Sequence, residues 1–372
     1  MQRGMGMFIT DIKYYRYKTP LKKPFKTALR TVDVIESIYV FIETNHKEMV
    51  GVGEAVPTYV ITGDTKGGIE AAIEEVFKPL LINRPLSIGL LDEMDEALVG
   101  NSSAKAAIDI ALYDLLAQEA KSPLYEYLNN DPGNKSLETC YTVSLNEADE
   151  MVKDAFRYIQ EGYTHLKIKV GKDSVETDLN RLKALRAALP KDTTLSVDAN
   201  QAWNEKGAEQ ALKHFDEASL NIESIEQPVN RNEFSVLGKL TKDYQIPLMV
   251  DESLFSVHDA KRLVEVGAIN LWNIKLMKTG GIHQARKIHE IAKEYDITCM
   301  VGCMMETHVS VTAALHFSLA ANKVTRVDFD APLMVSNREV VGGIAYNGSK
   351  VTAPKGYGLG IDRKSLLKKV SV

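Results

Sequence analysis

Cysteine is scarce in this sequence, which contains only Cys140, Cys299 and Cys303 in 372 residues. These residues include no C-x-x-C pair, and any single disulfide would leave one cysteine over. A disulfide-stabilised secreted fold is therefore disfavoured. The simplest expectation is a protein of the reducing cytoplasm.

Long apolar runs and an excess of basic charge are also missing. No run approaches the length of a membrane span, and the first residues, MQRGMGMFITDIKYYRY, contain no long apolar segment typical of a signal peptide. The sequence contains 45 Lys and Arg residues and 50 Asp and Glu residues, and the acidic residues are not gathered in a tail. We therefore expect a soluble protein that binds neither membranes nor nucleic acid.

The first part of the chain, residues 1–125, has the pattern of a small α+β domain. Strand-like segments at 8–17, 34–44 and 48–55 precede helical patterns, the first of which begins near Asp64 as its candidate N-cap. A basic stretch with two prolines, at about 19–32, separates the first two strands. It predicts a long exposed connection that serves as a lid.

Residues 126–336 show a different, periodic pattern. Eight short apolar strand candidates alternate with seven amphipathic helices, which predicts a (β/α)8-type barrel of the modified (β/α)7β form. A doubly wound open sheet is the alternative, but no G-x-G-x-x-G motif follows a strand. The Gly-rich segment 337–372 is expected to return to the first domain.

Charged residues stand near the ends of six of the eight predicted strands. They are Lys169, Asp198, Glu226, Asp251, Lys275 and the pair Asp328 and Asp330, on strands two to six and eight. In a barrel of this kind, the C-terminal ends of the strands meet at one mouth, where chemistry takes place. Buried charges are costly unless they are paired or bound to a metal, so the pattern predicts a functional site.

Three consecutive strands end in the carboxylates Asp198, Glu226 and Asp251. Each of these residues alone could cap a helix or pair with a lysine. Together they predict a site for one Mg²⁺ ion, which prefers octahedral oxygen ligands. Zinc is disfavoured because no His or Cys except Cys303 lies at these strand ends.

The segment THLKIKVG, residues 164–171, places Lys167 and Lys169 on one face of the second strand. In isolation, this pattern is most typical of a solvent-exposed strand. In a barrel, Lys169 would face Lys275 across the mouth. One lysine could remove the α-proton of a metal-bound carboxylate substrate, and the other could return a proton to the opposite face. The metal would stabilise the enediolate, while Lys167 would lower the pKa of Lys169 and bind the enediolate oxygen.

Five ordered motifs resemble those of the enolase superfamily, muconate-lactonising subgroup. They are K-x-K at Lys167, D-x-N at Asp198 and Asn200, E-Q-P at Glu226, D-E-S at Asp251, and K-L-M-K-T-G-G at Lys275. The likeness covers nearly the whole chain and implies a magnesium enzyme that is often a symmetric homo-oligomer. Cycloisomerases, o-succinylbenzoate synthases, N-acylamino acid racemases and dipeptide epimerases share these motifs, so they do not fix the reaction.

The Asp328-Phe329-Asp330 segment is similar to the signature of dipeptide epimerases, whose aspartates hold the N-terminal amine of the dipeptide. A helix cap or a surface turn is the structural alternative. The resemblance implies that Arg30 takes the side-chain carboxylate of glutamate in L-Ala-Glu, a dipeptide of peptidoglycan recycling. It also places Thr142 and Cys303 against the substrate, although both could be packing residues.

Three further residues fit structural roles better than catalytic ones. His308 falls past the seventh strand, Lys278 lies beyond the strand that ends at Lys275, and Glu252 should point away from Asp251 or orient its neighbours. The sequence thus predicts an epimerase acting on the second residue of a dipeptide. The rivals are an o-succinylbenzoate synthase, an N-acylamino acid racemase and a non-catalytic binding protein, and the identity of the second residue stays open.

Overall fold

An antiparallel sheet begins the chain in the computed structural model, which describes residues 6–130, 136–337 and 340–370. Its strands β1 (Ile9–Lys26), β2 (Thr31–Thr44) and β3 (Val50–Ala55) follow one another in order. The predicted long connection at about 19–32 is therefore mostly strand, and only residues 27–30 form the turn. The ladder is irregular between Pro20 and Phe25, where proline cannot donate a hydrogen bond, yet pairing resumes beyond that point.

Helices cover one face of this sheet. They are α1 (Lys66–Ala71), α2 (Lys78–Leu81), α3 (Gly89–Ala97), α4 (Ser102–Glu119) and α5 (Leu124–Leu128), with a π-helical turn at Ala72–Phe77. The predicted N-cap was wrong by one residue, because the Thr65 hydroxyl accepts the hydrogen bond from the amide of Gly68. Asp64 instead accepts from the amide of Ser103 at the start of α4.

Eight parallel strands form the second sheet, as the sequence predicts. They are β5 (Tyr141–Val143), β6 (His165–Lys169), β7 (Thr194–Asp198), β8 (Ile222–Glu226), β9 (Leu248–Val250), β10 (Leu271–Lys275), β11 (Thr298–Gly302) and β12 (Val324–Asp328). A parallel bridge between Thr139 and Val327 joins the first strand region to the last. The sheet therefore closes into a barrel, and β6 and β10 lie opposite each other with three strands between them on either side.

Seven long helices surround the barrel. They are α6 (Ala148–Gln160), α7 (Val175–Ala188), α8 (Glu205–Glu217), α9 (Phe234–Asp243), α10 (Val257–Val266), α12 (Ile282–Glu294) and α13 (His308–Ala320), with the short α11 (Leu276–Thr279) after β10. After β12 the described chain has only the four-residue α14 (Ala331–Met334) before the final segment. This arrangement confirms the predicted (β/α)7β form. None of the described helices is both long and apolar enough to cross a membrane.

The final segment contributes a small sheet and a last helix. Strands β13 (Ala345–Asn347) and β14 (Lys350–Thr352) pair with β4 (Ser136–Glu138), and α15 (Arg363–Val370) follows. The guanidinium of Arg363 donates to the buried carboxylate of Asp114 in α4, which also accepts from the amide of Leu359. These contacts join the end of the chain to its first part.

Glu54 anchors the N-terminal sheet to the barrel. Its fully buried carboxylate accepts hydrogen bonds from the amides of Thr307 and Ser310 at the start of α13 and from the Ser37 hydroxyl. An anionic side chain is favoured at a helix N-terminus, where free amides and the helix dipole meet it. The contact fixes the capping sheet above the mouth of the barrel.

Asp109 of α4 makes a second junction of the same kind, at the start of α12. Its carboxylate accepts from the amides of Ile282 and His283. Gly281 allows this approach, because an added Cβ would lie 2.3 Å from the Asp109 Cγ atom and its φ of +113° is unfavourable for other residues. The second glycine of the Gly-Gly pair is therefore required by contact with the capping domain.

Gly281→Ala should destabilise the protein strongly, by at least about 3 kcal/mol, because the new methyl group would displace Asp109. Gly267→Ala is the matched control, since Gly267 has a φ of +77° but open space around it. That variant should lose only about 1 kcal/mol. Urea denaturation of both proteins measures the difference, and equal losses would contradict the proposed role of the close approach.

Candidate active site

The C-terminal mouth of the barrel holds a cavity that the capping domain covers. Eight of the residues predicted from the sequence line it: Arg30, Thr142, Lys167, Lys169, Lys275, Cys303, Asp328 and Asp330. Residues from both ends of the sequence thus meet at one place. The predicted metal ligands Asp198, Glu226 and Asp251 lie beside it, in contact with these lysines.

Lys169 and Lys275 each contact one of the predicted metal ligands. The Lys169 ammonium lies 2.5 Å from the Asp198 carboxylate and donates to the Asn200 side-chain oxygen at 3.1 Å. On the opposite strand, the Lys275 ammonium lies 2.6 Å from the Asp251 carboxylate. The arrangement therefore places one lysine with its own carboxylate on each side of the cavity.

Lys167 is buried between the two lysine–carboxylate pairs. Its ammonium lies 2.7 Å from Glu226, 2.7 Å from Asp328 and 3.8 Å from Asp198. Burial alone would lower the pKa of Lys167, but the three carboxylates outweigh this effect and raise it above its ordinary value. Lys167 therefore carries a fixed positive charge at the centre of the site.

Negative charge exceeds positive charge around this centre. Six buried carboxylates surround four buried ammonium groups: Asp198, Glu226, Asp251, Glu252, Asp328 and Asp330 against Lys167, Lys169, Lys275 and Lys278. The imbalance is visible in Glu226, whose pKa is raised to about 7 by burial and by the neighbouring Asp198 and Asp251 despite the opposing effect of Lys167. With all six carboxyl groups ionised, this cluster of the described residues would carry two more negative than positive charges.

This donor set fits a divalent cation of the Mg²⁺ type. The carboxylates of Asp198, Glu226 and Asp251 stand on three adjacent strands and offer only oxygen ligands. As the side chains stand, the described residues contain no group of three Asp, Glu, His or Cys side chains placed to hold a metal ion. The reason is that lysine ammonium groups pair with each of these carboxylates.

Asp328 and Asp330 are buried at one end of the cavity. Asp328 pairs with Lys167, while Asp330 accepts from the amide of Thr142 at 2.7 Å. Burial and the neighbouring Asp328 raise the pKa of Asp330 to about 7. Asp330 precedes α14 but makes no capping hydrogen bond from its side chain, and neither residue lies on a surface turn. The pair therefore fits a site for a cationic ligand group better than the structural alternatives.

Arg30 lies in the turn between β1 and β2 and also lines the cavity. Burial lowers the pKa of its guanidinium, and among the described residues only the phenol of Tyr59 opposes this effect. No carboxylate of the described chain contributes to its environment. A partly buried cation without an acidic partner fits an anionic ligand group.

Comparison with known proteins gives the family of this chain. Residues 9–128 match the model of the mandelate racemase/muconate lactonizing enzyme N-terminal domain, and residues 150–365 match the enolase C-terminal domain-like model. The chain belongs to this family of the enolase superfamily.

Close relatives agree with this assignment. The chain is 45% identical to the L-Ala-D/L-Glu epimerase of Bacillus subtilis, over 97% of this chain and 99% of the relative. A substrate-liganded complex of the L-Ala-D/L-Glu epimerase from Bacillus subtilis matches with a TM-score of 0.93 and 44% identity, over 95% and 99% of the two chains. The dipeptide epimerase from Enterococcus faecalis V583, complexed with Mg and L-Leu-L-Tyr, matches with a TM-score of 0.89 and 37% identity, over 96% and 99%. The protein is an isomerase of the epimerase kind.

The residues that the sequence analysis set aside have clear positions in this epimerase. Lys278 does not line the cavity; its ammonium is buried beneath Asp251, 2.6 Å from the carboxylate, and donates to the Asn273 carbonyl. Glu252 accepts from the side-chain amide of Asn200 at 3.2 Å. His308 is the first residue of α13 and is buried.

Sequence reasoning missed Gln227, the middle residue of the E-Q-P motif. Its side-chain oxygen accepts from the amides of Asp251 and Ser253, and its side-chain nitrogen donates to the Val229 carbonyl and the Ser253 hydroxyl. Its φ of +37° is strained for a residue with a side chain. Gln227 thus joins the ends of β8 and β9, and the motif itself was the available signal.

The sequence analysis also gave no role to several residues of the cavity wall. They are Phe25, Thr27, Ile61, Asn200, Met304 and Met305. Asn200 stands in the D-x-N motif, and Met304 and Met305 follow β11 at the mouth of the barrel. The other three belong to the capping domain, where no periodic pattern marks a residue that faces the barrel.

Asp330→Asn tests the raised pKa of this carboxyl group through the stability of the fold. The pKa of Asp330 is about 7 in the folded protein and lower in the unfolded protein. The contribution of this carboxyl group to the unfolding free energy of the wild-type protein therefore decreases as the pH rises from about 4 to about 7. Asparagine can still accept from Thr142 but does not ionise. The unfolding free energy of the variant relative to wild type should therefore increase by more than about 1 kcal/mol between about pH 5 and about pH 8.5.

Urea denaturation at the two pH values measures this change. Asp362→Asn is the control, because Asp362 is exposed and hydrogen bonds from Ser365 hold its pKa below the ordinary value. Its titration is complete below the tested interval, so that variant should show no pH-dependent difference. If Asp330→Asn also shows no pH-dependent difference from wild type, the carboxyl group of Asp330 is already ionised at about pH 5 in the folded protein.

Proposed function

We propose that this protein is a Mg²⁺-dependent epimerase that inverts the α-carbon of the second residue of a dipeptide, with L-Ala-D/L-Glu as the preferred substrate. The observation that carries the proposal is the cavity with Lys169 and Lys275 on opposite strands and the acidic pair Asp328 and Asp330 at its end. The similarity to named dipeptide epimerases supports the same conclusion.

In this proposal, Asp198, Glu226 and Asp251 hold one Mg²⁺ ion. Bound Mg²⁺ supplies positive charge to the substrate carboxylate, where negative charge develops during the reaction. Lys169 and Lys275 must then leave their carboxylate partners and face the α-carbon from opposite sides. One neutral lysine removes the α-proton, and the other, protonated, delivers a proton to the other face of the enediolate.

Lys167 keeps its positive charge during these steps. Because Glu226 and Asp328 raise its pKa, it is suited to stabilise an oxyanion rather than to act as a base. Its charge also acts on Lys169, two residues away on the same face of β6. The proposed lowering of the Lys169 pKa by this neighbour remains a prediction.

The acidic pair selects a substrate with a free amine. Asp328 pairs with Lys167, whereas Asp330 accepts from the Thr142 amide, so a ligand ammonium at this position would balance the charge of Asp330. An N-acylated amino acid or a succinylbenzoate precursor has no ammonium group to offer there. Thr142 and Cys303 line the same part of the cavity and complete the contact surface.

Incubation with Mg²⁺ and L-Ala-L-Glu in D₂O tests the function. We expect deuterium at the glutamyl α-carbon and the appearance of L-Ala-D-Glu, measured by proton NMR and chiral chromatography. Lys169→Ala and Lys275→Ala should each abolish epimerisation, although one of them can retain exchange from a single stereoisomer because each lysine serves one face.

Two controls accompany this experiment. Lys22→Ala removes a lysine of strand β1 that donates to the Leu333 carbonyl and does not line the cavity, so it should leave turnover unchanged. Removal of Mg²⁺ with a chelator should stop both exchange and epimerisation. No exchange across a library of dipeptides would refute the proposed function.

Arg30 is proposed to bind the side-chain carboxylate of the second residue, because it is a partly buried cation with no acidic partner in the described chain. Arg30→Met should raise KM for L-Ala-L-Glu by roughly tenfold, since a charge-assisted contact is lost. KM for L-Ala-L-Met should stay within about twofold of the wild-type value. An equal increase in KM for both dipeptides would show that Arg30 does not bind the side chain of the second residue.

A further inference from the structure

Three residues that take no part in the proposed chemistry form a hydrogen-bonded platform, and two of them belong to the E-Q-P and D-E-S motifs. They are Gln201, Gln227 and Ser253. The Gln201 amide donates to the Gln227 carbonyl at 2.8 Å, and the Gln227 side chain donates to the Ser253 hydroxyl at 2.8 Å. The platform thus connects the loops that follow β7, β8 and β9.

Both the backbone amide and the backbone carbonyl of Arg231 are hydrogen bonded to this platform. Its amide donates to the Gln201 side-chain oxygen at 3.0 Å, and its carbonyl accepts from the Ser253 hydroxyl at 2.7 Å. The guanidinium lies 5.8 Å from the centre of the Phe255 ring, within the range of a cation–π contact. The base of the side chain is therefore well oriented although its end is exposed.

The guanidinium of Arg231 reaches across to the capping domain. It donates to the Ile61 carbonyl at 2.9 Å. Ile61 belongs to the loop 57–64, which is anchored on the other side where Asp64 accepts from the amide of Ser103. Between these two anchors the loop makes a tight turn, in which the Thr58 carbonyl accepts from the amides of Ile61 and Thr62.

Ile61 lines the cavity together with Arg30 and Thr27. In the proposed function, its position would affect the space left for the side chain of the second residue. We propose that Arg231 is a positioning residue that holds loop 57–64, and with it Ile61, over the substrate. The effect on turnover rests on the proposed function, whereas the effect on the loop does not.

Arg231→Met keeps the length of the side chain and its packing on Phe255 but removes the hydrogen bond to Ile61. Amide hydrogen exchange in loop 57–64, followed by mass spectrometry of the wild-type and variant proteins without substrate, should become roughly tenfold faster. Arg231→Lys retains a donor and should restore most of the protection. Unchanged exchange in Arg231→Met would refute the positioning role.

Kinetics test the consequence for the substrate. Arg231→Met should raise KM for L-Ala-L-Glu roughly fivefold and leave kcat within about twofold, because the chemistry at the lysines is untouched. Ile61→Ala should raise KM in the wild-type background but have little further effect in Arg231→Met, since the two residues act as one unit. If the two substitutions instead raise KM independently, so that their effects multiply in the double variant, Arg231 and Ile61 do not act as one unit.

Arg262→Met is the matched control. Arg262 also stacks on an aromatic ring, with its guanidinium 3.8 Å from the centre of the Phe234 ring, but it lies on the outer helix α10. Neither exchange in loop 57–64 nor KM should change in this variant. If the wild-type protein turns over no dipeptide, the proposed function fails, while the exchange comparison of Arg231→Met with Arg262→Met still decides the role of Arg231.

Discussion

The mutual pairing of lysines and carboxylates at the mouth of the barrel is the interaction on which the site depends. Lys167 contacts Glu226 and Asp328, and the opposed Lys169 and Lys275 each hold one further carboxylate. Each group would be costly to bury alone, but the cluster as a whole is tolerated because each of these ammonium groups lies against at least one carboxylate. The remaining excess of negative charge leaves room for a divalent cation and a ligand ammonium.

This charged cluster needs rigid support, and buried hydrogen bonds provide it. Gln227 joins the ends of β8 and β9, which carry two of the proposed metal ligands, and Asn200 connects Lys169 to Glu252. The backbone of both residues has a positive φ. This strained conformation is found where side chains must point in fixed directions. Lys278 supports Asp251 from below in the same way. The surrounding groups therefore limit the movement of the charges before any ligand is present.

The capping domain completes the site because two of its carboxylates bind the N-terminal ends of barrel helices. Glu54 binds the start of α13, and Asp109 binds the start of α12 beside Gly281. These junctions place the β1–β2 turn with Arg30, and the loop with Ile61, above the cavity. In the proposed function, selection among dipeptide side chains therefore depends on contacts between domains, whereas the proposed proton-transfer groups belong to the barrel alone.

The sequence by itself determined the alternation of eight strands with seven helices, because strand and helix periodicity is carried by neighbouring residues. It also determined that charged residues end the strands, and the mouth of a barrel must bring these together. It did not reveal that residues 19–26 continue a strand, that Gln227 joins two strands, or that Ile61 faces the cavity. Only the tertiary structure decided these features, because they depend on contacts between residues far apart in the chain.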